Sequence, residues 1–373
     1  MNNKLEELRE EIDRIDEQMV KLFEDRMNIA KSVGDFKREN NLAILDEGRE
    51  QGIVDKSKER VTEDLKGEVG ILMRSLMALS REYQRNMLLR NDEELLPPPK
   101  DRVIGNVKCV YQGVAGAWSQ QAAQKLFPDD KLVAVDYFED VFSAVKNGDA
   151  NYGVVPIENS QSGAIGETYD LLRRFGCYVV GRTWIDIKQC LLAKKDTELT
   201  DIREVLSHPE GFRQCRKYLT KKSWDLTTCT NTAVAAKKVQ GTQGNRTAAI
   251  GSRYAAELNG LEVVAADIMD SAENRTSFVV IAKNPEYTEK SNLISITFAL
   301  TDRSGSLCEA LLPFMASGVN MCRIESRPAT QGNYRFFAEI VGNIQDPLVQ
   351  DTLHHAAGIT DYLEVLGCYE TIM

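Results

Sequence analysis

Residues 153–163 read Gly-Val-Val-Pro-Ile-Glu-Asn-Ser-Gln-Ser-Gly. An apolar run, Tyr152 to Val155, meets a proline and then breaks into polar side chains that end in glycine. Proline has no N–H for a ladder and is confined to sheet edges, strand starts and bulges, so the chain is expected to leave the sheet at Pro156. That puts Glu158, Asn159, Ser160 and Ser162 at a strand end, where open α/β sheets carry ligand sites. An ordinary hydrophilic loop is the alternative.

Around this stretch, strand-like runs alternate with helical ones from 103 to 285. The strand runs are 107–112, 132–135, 152–155, 178–184, 189–193, 204–206, 247–250, 262–265 and 278–282. Such alternation reads as α/β with parallel sheets, in one domain or two lobes around a cleft. Two seams bound it. Asn91 to Lys100 is an acidic run followed by Pro97-Pro98-Pro99, expected as a stiff extended linker over 91–102. The second seam is Asn284 to Asn292. Beyond it, strand 293–300, helix 306–317, strands 319–326 and 334–341, helix 346–357 and strand 361–369 follow in the β-α-β-β-α-β order of a ferredoxin-like α+β unit, over 292–373.

Residues 1–90 are helical in pattern. Leu5, Leu8, Ile12, Ile15, Met19 and Leu22 keep a three-to-four spacing that continues through Ile29, Val33 and Phe36. This predicts one helix of about 35 residues, about 50 Å long. Further helices are expected near 43–64 and 67–90. Three helices make a thin core, so this all-α segment is expected to dimerise along its long helix.

The chain has 373 residues and a net charge of −10, which argues against nucleic acid or an anionic membrane as partner. No apolar run reaches the length of a membrane span, and the first residues do not read as a signal peptide. The eight cysteines form no Cys-x-x-Cys pair and there are three histidines, so no metal site is expected. The reading is a cytosolic protein with reduced thiols. Gly113-x-x-Gly116 is not a dinucleotide fingerprint, and no cofactor is expected.

Several polar residues fall on helical faces where apolar ones belong. Arg26 lies on the stripe of the first helix, and Lys37, eleven residues on, falls within about 20° of it. A guanidinium there needs an anion, either a carboxylate of another helix or a ligand. Asp46, Arg49 and Glu50 share one face of the second helix; Ser80 and Gln84 form an i, i+4 pair on the third.

Four ordered motifs resemble the prephenate dehydratases. They are Val155-Pro156-Ile157-Glu158-Asn159-Ser160 with Ser162-Gly163-Ala164-Ile165, Tyr111 to Ala122, Ser207-His208-Pro209 with Gln214-Cys215, and Asn231-Thr232-Ala233 with Ala235-Ala236. The resemblance implies Thr276, in Thr276-Ser277-Phe278, as proton donor. It implies Ser119, Glu158, Asn159, Ser160, Gln214 and Thr232 as residues that position prephenate. The family's Thr-Arg-Phe has its arginine replaced by Ser277, and Glu210 stands where glutamine is usual. Ser277 puts carboxylate binding in question and raises a change of substrate, for instance to arogenate.

Arg9, Arg26, Lys37, Asp46, Arg49, Glu50, Ser80 and Gln84 resemble the site pattern of the all-helical chorismate mutases, with Arg9 crossing from a partner subunit. Chorismate carries two carboxylates, which suit arginine forks. Its rearrangement needs a held conformer and charge stabilisation at the ether oxygen, for which Lys37 and Gln84 are the natural donors.

Ser304-Gly305-Ser306-Leu307 and Arg323-Ile324-Glu325-Ser326-Arg327-Pro328 resemble the effector motifs of the regulatory (ACT) domain of phenylalanine-sensitive dehydratases. Gly305, Ser306, Leu307, Glu325 and Ser326 are thereby implied in binding phenylalanine at a subunit interface. The whole chain resembles the bifunctional chorismate mutase/prephenate dehydratases of phenylalanine biosynthesis, as a dimer or tetramer with feedback inhibition. The central segment is expected to be two-lobed like solute-binding proteins. A cytosolic ligand sensor, or a mutase with a silent or redirected second domain, are the alternatives.

Overall fold

The computed structural model describes residues 2–86, 94–328 and 334–372. The ends of the expected third helix (87–90) and the start of the expected linker (91–93) lie outside the described residues. The chain opens with α1 (Asn2–Glu39), α2 (Glu47–Lys58) and α3 (Lys66–Asn86). Asp46 caps α2, and a short 3-10 turn, Glu63–Leu65, fills what was expected as the end of the second helix. The apolar stripe of α1 finds α3 only in its second half. Every side chain from Lys4 to Asp25 is exposed, Leu5, Leu8, Ile12, Ile15, Met19 and Leu22 included.

The central region follows as β1 (Lys108–Gln112), α4 (Trp118–Leu126), β2 (Lys131–Val135), α5 (Phe138–Asn147), β3 (Tyr152–Asn159), β4 (Gly163–Ala164), α6 (Gly166–Phe175) and β5 (Tyr178–Asp186). Then come β6 (Cys190–Ala193), β7 (Glu204–Ser207), α7 (Pro209–Gln214), α8 (Arg216–Leu219), β8 (Asp225–Thr228), α9 (Thr232–Gly241), β9 (Thr247–Gly251), α10 (Arg253–Leu258), β10 (Glu262–Ala265) and β11 (Arg275–Ala282). They form two sheets. One has the order β2-β1-β3-β11-β5 with β4 beside β3; the other has the order β10-β6-β9-β7-β8. The chain passes between them twice, at 187–189 and at 266–274. There Ile187 N–H donates to Asn274 O at 2.8 Å and Ile268 N–H donates to Gln189 O at 3.0 Å.

Two expectations fail here. The sheets are mixed rather than parallel, because β11 runs antiparallel to both β3 and β5, and β6 antiparallel to β9 and β10. Nor does the chain leave the sheet at Pro156. β3 continues to Asn159, and the register with β11 slips so that Ser277 faces Glu158 and Phe278 faces Pro156. On its other side β3 pairs with β1 only as far as Val154. β4 takes over that side only at Glu158, so Pro156 falls in the gap between two partner strands and beside a bulge, the setting that tolerates a missing donor.

The last region is β12 (Leu293–Leu300), α11 (Ser306–Ser317), β13 (Met321–Pro328), β14 (Tyr334–Val341), α12 (Pro347–Ile359) and β15 (Tyr362–Tyr369), an antiparallel sheet of order β13-β14-β12-β15 with both helices on one face. Its core takes in Leu96 from the expected linker, so the described part of that segment is docked rather than a free spacer. The sheet lies against the edge strand β5, where Ile372 N–H donates to Arg182 O at 2.7 Å. Gly367 makes this approach possible, since a Cβ there would collide with the backbone of Val179.

Candidate active sites

The helical region holds a cavity of 280 Å³ between α1, α2 and α3. Arg26, Lys37, Asp46, Arg49, Glu50, Ser80 and Gln84 all line it. Arg9 does not. It lies on the exposed half of α1, about 25 Å along the helix from Arg26 at 1.5 Å per residue. Arg26 donates to Ser80 Oγ and to Leu76 O at 3.1 Å, and burial pulls its guanidinium below its ordinary pKa against the opposing pull of Glu50. Lys37 Nζ donates to Ile44 O at 2.6 Å, Gln84 Nε2 donates to Ala30 O at 2.9 Å, and Asp46 accepts from Arg49 N–H at 3.0 Å as the cap of α2. Gln84 reaches across only because Gly34 has no Cβ, which would fall 2.8 Å from its Cγ. Sequence reading missed Arg81. It lines the same cavity, pairs with Glu50, and donates from its other nitrogen to Glu309 on α11 at 2.8 Å. Arg81 is one step from Ser80, 100° round α3, so facial spacing gave no signal for it.

The central region holds a second cavity, of 360 Å³, between its two sheets. Asn159, Ser162 and Thr276 reach it from the first sheet, Gln214, Asn231 and Thr232 from the second, and Gln189 from the crossing. Cross-strand pairing sets Thr276 opposite Asn159. Asn159 Nδ2 donates to Thr276 Oγ1 at 2.9 Å and to Asn274 Oδ1 at 2.8 Å, while its Oδ1 accepts from the N–H of Gln161 and Ser162 at 2.9 and 3.1 Å. The Thr276 hydroxyl accepts that bond and keeps its own proton free. Gln189 Nε2 donates to Gln214 Oε1 at 3.1 Å; its own buried Oε1 has no protein partner. Asn231 caps α9 by accepting from Val234 N–H at 2.7 Å, and the start of that helix faces the cavity. His208 Nδ1 accepts from Glu210 N–H at 3.1 Å, which leaves the ring proton on Nε2.

Three expected site residues point elsewhere. Glu158 lies one step from Asn159 on a strand and so faces the opposite side of the sheet. There it meets Arg323 at 3.1 Å and Arg182 at 3.5 Å. Ser160 follows β3 and closes the end of its ladder with β11, its Oγ accepting from Arg275 N–H at 3.0 Å. Ser119 is buried in the first turn of α4, behind Trp118, and is not the cap of that helix, which is Ala117. Ser277 shares the far side with Glu158. It accepts from Arg182 Nε at 2.7 Å, and Arg182 also pairs with Glu339 at 2.5 Å. The position that departs from Thr-Arg-Phe therefore belongs to a buried charge cluster under the C-terminal sheet and not to the cavity wall. Glu210, the other departure, does line the cavity, with Arg213 Nε donating to it at 2.8 Å; that bond holds its carboxyl below the usual range.

In the C-terminal region Gly305 adopts φ +86° ahead of α11, with Ser306 and Leu307 in its first turn. Glu325 and Ser326 sit on the edge strand β13. Among the described residues no hydrogen bond or ion pair joins these two sets.

Comparison with known proteins gives the two regions that hold these cavities a class. The family described as prephenate dehydratase matches residues 109–286, and that described as chorismate mutase type II matches residues 8–85. The bifunctional chorismate mutase/prephenate dehydratase of Escherichia coli K12 is 30% identical over 98% of this chain and 96% of its own length; that of Aquifex aeolicus is 31% identical over 98% and 97%. Arogenate dehydratase/prephenate dehydratase 2 of Arabidopsis thaliana is 36% identical over 74% of this chain and 78% of its own. Among solved structures, the prephenate dehydratase of Arthrobacter aurescens in complex with L-Phe superposes with a TM-score of 0.65 at 27% identity, over 70% of this chain and 89% of that one.

The chain belongs to the bifunctional chorismate mutase/prephenate dehydratase family. It rearranges chorismate to prephenate and converts prephenate to phenylpyruvate in the biosynthesis of phenylalanine.

Proposed function

We propose that the helical cavity is the mutase site and the inter-sheet cavity the dehydratase site. The division is a mutase domain over 1–90, a dehydratase domain over 103–285 and an ACT regulatory domain of ferredoxin-like fold over 292–373. The observation that carries this reading is the Asn159–Thr276 pair, which fixes a hydroxyl at the cavity wall with its proton unspent. Thr276 gives that proton to the ring hydroxyl of prephenate. The ring carboxylate leaves as carbon dioxide, its bonding pair enters the ring, and the C–O bond breaks to release water as the ring becomes aromatic. The Thr276 oxygen regains its proton from solvent, so each turnover consumes one solvent proton. Gln189, Gln214, Thr232 and the open end of α9 hold the pyruvyl carboxylate. Leaving the departing carboxylate without a cation favours its loss.

In the mutase, Arg26 and Arg49 grip the two carboxylates of chorismate. Lys37 and Gln84 turn from their carbonyl partners to the ether oxygen, where charge builds. Glu50, Asp46 and Ser80 orient the cations and the substrate hydroxyl. Arg9 serves a neighbouring subunit, and the exposed apolar stripe of α1 supports a homodimer in which that half-helix is covered. Phenylalanine acts as feedback effector through Gly305, Ser306, Leu307, Glu325 and Ser326. Their separation within one chain, and the open edge of β13, favour a site completed by a second copy. The eight unpaired cysteines fit a cytosolic enzyme.

The test is a time course from chorismate with purified protein. Transient prephenate followed by phenylpyruvate is expected; prephenate that accumulates without phenylpyruvate would overturn the dehydratase site. One observation favours a second substrate. Glu210 brings a carboxylate to the cavity, which suits the ammonium that arogenate carries in place of the keto group. Turnover of arogenate alongside prephenate would bear this out.

A further inference from the structure

Arg81 has no role in the mechanism above, yet it is among the most buried charges of the protein, with 7% of its side chain exposed. It stands between two carboxylates. One nitrogen donates to Glu50 in the mutase cavity and the other to Glu309, 2.8 Å away on α11. Glu309 in turn accepts both terminal nitrogens of Arg303, at 3.1 and 2.6 Å. The result is an alternating row, Glu50–Arg81–Glu309–Arg303, that starts at the mutase cavity and ends in the turn before α11. Glu309 is held below the usual carboxylate range by these two arginines against its own burial.

We propose that Arg81 is a positioning residue of the mutase and that it is held in place from the C-terminal region by Glu309. The inference rests on the assignment of the helical cavity as the mutase site. The reason is charge economy. Glu50 also faces Arg26. A carboxylate that is free to swing onto Arg26 neutralises a cation that chorismate needs. Arg81 draws Glu50 the other way. With Glu50 as its sole partner Arg81 would be an under-compensated buried cation in the cavity, and Glu309 supplies the second anion. Mutase catalysis in this chain thus depends on a side chain more than two hundred residues downstream, on the far side of the dehydratase.

The experiment uses the full-length protein with chorismate and prephenate assayed separately. Glu309→Gln is expected to raise the mutase KM by about tenfold, the scale of coupling between contacting groups, with kcat less affected and prephenate turnover unchanged. Arg81→Met should do the same. Adding Glu309→Gln to Arg81→Met should then cost little more, because both cut one row. Arg81→Lys, which keeps the charge but not the two-sided fork, should fall between wild type and Arg81→Met. An unchanged mutase KM in Glu309→Gln, or losses that multiply in the double variant, overturns the proposal. A mutase kcat close to wild type certifies the helical fold, and retained prephenate turnover that of the rest. Lys37→Ala separates the two readings: if it keeps mutase turnover the cavity assignment fails, and if it loses turnover while Glu309→Gln is silent only the Arg81 row fails.

Discussion

The helical cavity is walled by Arg26, Lys37, Arg49 and Arg81, whereas none of the described residues lining the inter-sheet cavity is a lysine or an arginine. Both substrates are dianions. The contrast follows from what each reaction does with them. Chorismate keeps both carboxylates and must be folded into one conformer, so strong fixed charges on both ends are useful throughout. Prephenate must give one carboxylate up, and a cation clamped to it would oppose the reaction. In the proposed site, amides, hydroxyls and a helix end bind the carboxylate that stays and leave the other unneutralised. Architecture follows suit. Three helices suffice to display long cations around a cavity of 280 Å³. Fixing a threonine, two glutamines and an asparagine around 360 Å³ takes two sheets and a double crossing.

The sharpest way to break this contrast is Thr276→Ala. Loss of the proton donor should lower phenylpyruvate formation by about 10²- to 10⁴-fold while mutase turnover stays as it was. Equal loss of both activities would show that the two cavities are not independent. Lys37→Ala should do the converse, with mutase kcat down by about 10²- to 10³-fold and prephenate turnover intact. A third test comes from behind the cavity that lacks lysine and arginine. Gly367→Ala places a methyl group against the backbone of Val179, which cannot step aside like a side chain. Stability should fall by roughly 3 kcal/mol in denaturant melts, the upper end for overpacking, and the dehydratase should suffer more than the mutase. The smallest effect concerns salt. Raising ionic strength from about 0.1 to 1 M shortens the screening length from about 10 to 3 Å, so the mutase KM should rise by a few-fold and the dehydratase KM much less. The reverse order would mean that hidden cations serve the dehydratase.

The elements were largely legible in the sequence because periodicity writes them directly. The 3.6-residue stripe of α1 and the β-α-β-β-α-β order of 293–369 needed no tertiary knowledge. The sheets were less so. β8 is exposed along its whole length and carries no apolar signal. β11 reads like any buried strand, and nothing local tells that it returns antiparallel between β3 and β5. Pro156 was read as an exit because a proline's neighbours are invisible in sequence; pairing with β1 ends at Val154 and pairing with β4 begins at Glu158, so no strand asks Pro156 for a donor on that side. Candidate residues failed in a patterned way. Glu158 and Asn159 are adjacent in a polar stretch, and only the knowledge that the strand continues separates them onto opposite faces. Arg81 and Gln189 draw their meaning from residues far away in the chain, Glu309 and Gln214.

Behind Thr276 and Asn159, on the reverse of the same two strands, lies the row of Arg182, Glu158, Arg323 and Glu339 with Ser277 beneath it. The pleat makes neighbouring positions answer to different masters. Residues 276 and 159 face the cavity, whereas 277 and 158 face partners on other strands of the chain. A change at 277 therefore acts first on Arg182 and its carboxylate partners, and adds or removes no side chain at the cavity wall. Two separate sets of constraints thus run side by side along β11, one residue apart.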